Sequence, residues 1–156
     1  SIVQEMIHNL KYRGHQEIGT ALGLWYGNEL KKAQILETID VIIPVPLHKK
    51  REKHRGYNQV VTFGNALSEC LEIPLNNQLL FRKVHTETQV RKNLVDRSDL
   101  AEKGFTVTFN EDMHNKHFLL IDDVITTGAT LEACGKALLS IPGARLSIVC
   151  IAAAHL

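Results

Sequence analysis

The chain is 156 residues long, the length of one domain and enough to bury roughly 68–70% of the surface its unfolded form exposes. Apolar residues make up 44% and charged residues 22%, which excludes intrinsic disorder, and a formal net charge of +1 excludes nucleic-acid binding by overall electrostatics, so any basic patch must be local. Cys70, Cys134 and Cys150 are widely spaced with no CxxC pair, which excludes a zinc ribbon or a disulfide framework within these residues and leaves three buried structural thiols.

Ile2, Val3, Met6, Ile7 and Leu10 recur at helical steps, and Arg13-Gly14 ends that first helix. With an acid at Glu5, the segment does not read as a secretory signal. A second helix is predicted from about Gln16 to Lys32, with Ile18, Leu22 and Trp25 on its apolar face. "DVIIPVP" at 40–46 reads as a buried strand stopped by its prolines. A basic loop follows from Leu47 to Arg55, then a helix after Gly56 with Val60, Phe63, Leu67 and Leu71 on one face. "LLF" at 79–81 suggests a short strand, and Arg82–Gly104 is charged with little periodicity, a length that is usually functional or mobile.

"FTVTF" at 105–109 alternates as a strand does, and "FLLI" at 118–121 is a buried strand. A helix from about Gly128 to Ser140, a Pro142-Gly143 turn and a last strand "LSIVCIAAA" complete the chain. The longest apolar run, residues 148–154, is far too short to span a bilayer, so a reduced, cytoplasmic protein is expected. Strands alternating with helices predict an α/β fold, a mostly parallel central sheet with helices on both faces. One domain, 1–156, is expected: two N-terminal helices within 1–32 and a core over 38–156. Right-handed crossovers then bring the Pro44–Arg55 and Asp122–Thr130 loops to the carboxyl edge of the sheet, where ligands bind.

At that edge "FLLIDDVITTGAT" ends an apolar run in Asp122-Asp123 and continues into Val124, Ile125, Thr126, Thr127, Gly128, Ala129 and Thr130. A small-residue loop before a helix offers backbone N–H groups, hydroxyls and a favourable dipole to a phosphate monoester. Neither the GxxxxGK[ST] nor the GxGxxG spacing is present. Two adjacent carboxylates suit the vicinal hydroxyls of a ribose, so phosphate and diol together describe a ribose 5-phosphate. The blander alternative is that Asp122 and Asp123 cap a turn and Gly128 merely shapes it.

This stretch resembles the thirteen-residue phosphoribosyl pyrophosphate (PRPP) motif of type I phosphoribosyltransferases. With "LKYRG" at 10–14, "PVPLHKKREKHRGYNQ" at 44–59 and the spacing of Thr86, Gln89, Arg97 and Phe105, the chain resembles the ComF family, competence-associated and amidophosphoribosyltransferase-like. Leu100 and Lys92 depart from the pattern, and these residues hold no Cys-rich segment of the kind many members carry at the N-terminus.

The resemblance implies that Asp122 and Asp123 hold the ribose, directly or through Mg²⁺, and that residues 124–130 hold the 5-phosphate. It implies that Pro46, Leu47, His48, Arg51 and Arg55 bind pyrophosphate, arginine suiting bidentate phosphate contact. It makes Arg82–Gly104 a flexible hood, with Thr86, Gln89 and Arg97 as candidate contacts. The expected activity is Mg²⁺-dependent transfer of ribose 5-phosphate from PRPP to an unidentified nitrogen acceptor. The alternative is a non-catalytic PRPP-fold protein acting in DNA uptake through a competence helicase, another DNA-processing protein or single-stranded DNA. Nucleic acid is not favoured, because no aromatic residue lies between Leu47 and Arg55 to stack a base.

Overall fold

A computed structural model describes residues 4–5, 8–9, 15–33, 38–47, 53–54, 56–83 and 104–154. In chain order the elements are α1 (Gln16–Lys32), β1 (Val41–Pro44), α2 (Gln59–Leu71), β2 (Leu80–Arg82), β3 (Phe105–Val107), a 3-10 turn at Glu111–Met113, β4 (His117–Ile125), α3 (Ala129–Leu139) and β5 (Arg145–Ala153). Most of the first predicted helix lies outside the described residues; Gln4, Glu5, His8 and Asn9 are helical.

β1, β4 and β5 form a parallel sheet in that order, with Val41 opposite Phe118 and Phe118 opposite Leu146. Because side chains alternate along a strand, the sheet feeds two cores. Val41, Ile43, Phe118 and Leu120 pack against Leu131, Cys134 and Leu138 of α3. Ile42, Leu119 and Ile121 pack against Val60, Phe63 and Leu67 of α2. Such side chains contribute roughly 1.5–3 kcal/mol each when fully buried. This two-sided burial explains why β1 and the first half of β4 read as continuous apolar runs, whereas β5, at the edge, buries only Val149.

Leu75 makes an isolated parallel bridge to Ile42, on the edge of β1 away from β4. The chain therefore moves one way across the sheet through α2 and the opposite way through α3, and right-handed crossovers in opposite directions put those helices on opposite faces. The order reverses between β1 and β4. A doubly wound sheet opens its ligand crevice at that switch point, beyond the carboxyl ends of the strands. β2 and β3 stay out of this sheet and pair antiparallel, packed on the α3 side.

α1 corrects one expectation. Trp25 is 63% exposed, and the buried line of the helix is Gly19, Gly23 and Gly27. A Cβ on Gly23 would stand 2.6 Å from both the Ala66 Cβ and the Phe63 carbonyl oxygen, so glycine is what lets α1 lie against α2. Leu22, Tyr26 and Leu30 flank that contact.

Candidate functional site

β4 does not stop where its apolar run stops. Val124 and Ile125 still pair with Ala152 and Ala153 of β5, so Asp122 and Asp123 sit inside the strand. The pleat sends their side chains to opposite faces. Asp123, 7% exposed, faces α2, where its Oδ2 accepts from Gln59 Nε2 at 2.8 Å and its Oδ1 accepts from the Val124 N–H at 2.7 Å. Asp122 is half-buried on the α3 side, and its Oδ1 accepts from the Asp123 N–H at 2.8 Å.

Two thiols register the charge of Asp122. Burial first, and then Asp122, push Cys134 up to about 12, with Arg82 pulling the other way. Burial, Asp122 and Asp123 push Cys150 up to about 11. Both stay protonated and neutral near pH 7. Cys134 is buried as expected, whereas Cys70 and Cys150 are only partly so.

After Ile125 three residues, Thr126–Gly128, turn the chain into α3. Gly128 takes a left-handed backbone (φ 80°), which a β-branched residue resists, although a Cβ there would meet nothing within 4 Å. The N-cap of α3, Gly128, has no side chain to cap with, and the Ala129 N–H donates a long bond, 3.4 Å, to the Thr127 hydroxyl. The other N–H groups of the first turn of α3, and the helix dipole, are presented toward an anion. Asp122 and residues 124–131 line a cavity of about 40 Å³ over this turn. The structure thus gathers Asp122, Val124, Ile125, Thr126, Thr127, Gly128, Ala129 and Thr130 around one small cavity, with Asp123 behind it.

The junction after β1 is built differently. Val45 extends the ladder, its N–H bonding the Ile121 carbonyl at 2.9 Å, and Pro46 and Leu47 follow at the switch point. His48, Arg51 and Arg55 lie outside the described residues, as do Thr86, Gln89 and Arg97. Asn58 ends the junction: its Nδ2 donates to the Val45 carbonyl at 3.2 Å, and its Oδ1 accepts from the Val60 N–H, capping α2.

Pro46, Leu47 and Asn58, together with Leu80, Arg82 and Lys83, border a cleft of about 420 Å³. Arg82 donates from Nε to the Pro46 carbonyl at 3.4 Å, and its guanidinium lies 4.5 Å from the Phe105 ring centroid. Gln59 and Arg82 are the site residues that sequence reasoning missed. Gln59 closes the 44–59 stretch and Arg82 opens the Arg82–Gly104 stretch, but each meets its partner across a long span of chain, 64 residues for Gln59 and 36 for Arg82, and no local spacing points to those partners.

Among the described residues no helix is long and apolar enough to cross a membrane. The profile of the phosphoribosyl transferase domain family matches residues 59–155. Competence protein F of Haemophilus influenzae is 36% identical over 111 residues, 70% of this chain and 48% of that protein. Competence protein ComFC of Bacillus subtilis is 32% identical over 138 residues, 88% of this chain and 54% of that protein. The chain spans about half the length of these two relatives. DNA utilization protein YhgH of Escherichia coli is 28% identical over 149 residues, 94% of this chain and 65% of that one.

Among solved structures, an adenine phosphoribosyltransferase superposes with a TM-score of 0.56 at 17% identity, over 91% of this chain and 71% of that one. A purine phosphoribosyltransferase from Pyrococcus horikoshii superposes with a TM-score of 0.51 at 20% identity, over 85% and 72%. These likenesses are of fold.

Proposed function

The chain belongs to the phosphoribosyl transferase domain family and, within the type I fold, to the ComF group, and from that premise we propose that it binds PRPP at the switch point between β1 and β4. The observation that carries this reading is the small cavity over Thr126–Gly128, where the uncapped start of α3 meets the half-buried Asp122. An uncapped helix start takes a phosphate, and a carboxylate on the strand leading into it takes a hydroxyl. In this reading the 5-phosphate of PRPP lies on the amides of residues 126–130, and Asp122 and Asp123 serve the ribose.

The pyrophosphate belongs on the side of Pro46 and Leu47, where Arg82 and Lys83 border the larger cleft and the run containing His48, Arg51 and Arg55 begins. Mg²⁺ suits the oxygen donors here. No group of three or more His, Cys, Asp or Glu among the described residues could cage an ion, so a bound Mg²⁺ would arrive with the pyrophosphate oxygens and its own waters. The ion would neutralise charge on the departing pyrophosphate. The chain would hold the ribose, fix the phosphate and exclude water while a nitrogen acceptor attacks the anomeric carbon through an oxocarbenium-like state.

A second reading is favoured by the names of the relatives, competence and DNA utilization proteins. Here PRPP is bound without turnover, and the domain acts in DNA uptake through a helicase, another DNA-processing protein or single-stranded DNA. Pyrophosphate release from PRPP, with Mg²⁺ and a panel of nitrogen bases, separates the two. Release with one base marks a transferase; tight PRPP binding with no release from any base marks the non-catalytic role. Failure to bind PRPP contradicts both.

A further inference from the structure

Asn58 and Gln59 are consecutive, yet they reach the carboxyl ends of two different strands. Asn58 bonds the Val45 carbonyl beyond β1, and Gln59 bonds Asp123 in β4. Gln59 is 3% exposed, an unusual position for an amide side chain unless it is hydrogen-bonded. Both oxygens of the Asp123 carboxylate accept a bond, one from Gln59 and one from the Val124 N–H. That double attachment fixes the side-chain rotamer of an acid that would otherwise turn about two bonds. A neutral amide holds the carboxylate without neutralising its charge.

We propose that Gln59 is a positioning residue: it orients Asp123 for the ribose and, through its neighbour Asn58, ties that acid to Val45 at the end of β1. The proposal rests on the PRPP reading above and deepens it. The phosphate seat at Thr126–Gly128 takes no part in the bond between Gln59 and Asp123, so the two can be tested apart.

Calorimetry on the full chain tests this with Mg²⁺-PRPP and inorganic phosphate as probes. Gln59→Met keeps length and much of the volume but has no amide. It should weaken PRPP about tenfold or more, as loss of a hydrogen bond to a charged group does, and leave phosphate within about twofold. Gln59→Glu sets a second carboxylate against Asp123 and should weaken PRPP further, again sparing phosphate. Retained phosphate binding shows that each variant is folded.

Unchanged PRPP affinity in Gln59→Met, or PRPP and phosphate falling in proportion, would overturn the positioning role and leave the PRPP site standing. If Gln59→Met melts too early to measure, Gln59→Glu decides alone by the same ratio. Wild-type protein that binds phosphate but not PRPP would overturn both readings.

Discussion

The two strand-to-helix junctions at the switch point solve the same problem in opposite ways. After β1 the chain takes a long, cationic route and returns through Asn58, which caps α2 with its own side chain. After β4 it needs only Thr126–Gly128, and α3 starts from a left-handed glycine without a side-chain cap. One helix start is capped by its N-cap side chain; the other, apart from the Ala129 N–H that the Thr127 hydroxyl takes, presents its amides outward. A helix N-terminus becomes an anion seat when the chain withholds its own cap. The capped junction is left free to do something else, which here is to deliver Gln59 to Asp123.

The acids between the junctions give the largest expected effect. Asp122→Asn should weaken Mg²⁺-PRPP by about 1.5–3 kcal/mol, roughly 10- to 100-fold, with inorganic phosphate nearly unchanged in the same calorimeter. The amide oxygen can still accept from the Asp123 N–H, so the melting temperature should hold. Asp123→Asn should cost a similar factor in PRPP and also lower the melting temperature, because a buried carboxylate bonded to Gln59 is replaced. Equal losses of PRPP and phosphate in both variants would mean that the acids only shape the turn.

Next comes the uncapped junction. Gly128→Val meets nothing within 4 Å at its Cβ but strains the backbone, so it should cost about 1–2 kcal/mol of stability and lower phosphate and PRPP affinity together. Phosphate affinity unaltered by the substitution would remove the loop from the site. The smallest effect belongs to the capped junction. Asn58→Ala should cost about 1 kcal/mol of stability by melting, with phosphate affinity unchanged. Phosphate binding that fell with this cap would show that the junctions are not independent.

Most of the fold is legible in the sequence because a sheet covered on both faces needs unbroken apolar strands. The runs that become β1, β4 and β5 announce themselves, and so do α2 and α3. α1 shows where such reading stops. Apolar periodicity selects Trp25, but the contact with α2 runs along Gly19, Gly23 and Gly27, and a surface made of missing side chains carries no hydrophobic signal.

The site divides the same way. The acids and the Thr-Gly turn are contiguous and so readable as chemistry. Their setting is not. Charge suggested that the strand ended at Asp122-Asp123, whereas pairing with Ala152 and Ala153 carries β4 on to Ile125 and parts the two side chains. Gln59 and Arg82 depend on contacts between distant segments, which only the fold brings together.

The claim that the uncapped start of α3 is the phosphate seat is tested most directly by an amide NMR titration with Mg²⁺-PRPP. The account predicts that at saturation the N–H resonances of Thr127, Gly128 and Thr130 shift most, while that of Val60, already bonded to Asn58, moves least among the first-turn amides of the two helices. PRPP that binds while those of Thr127, Gly128 and Thr130 stay in place would contradict it.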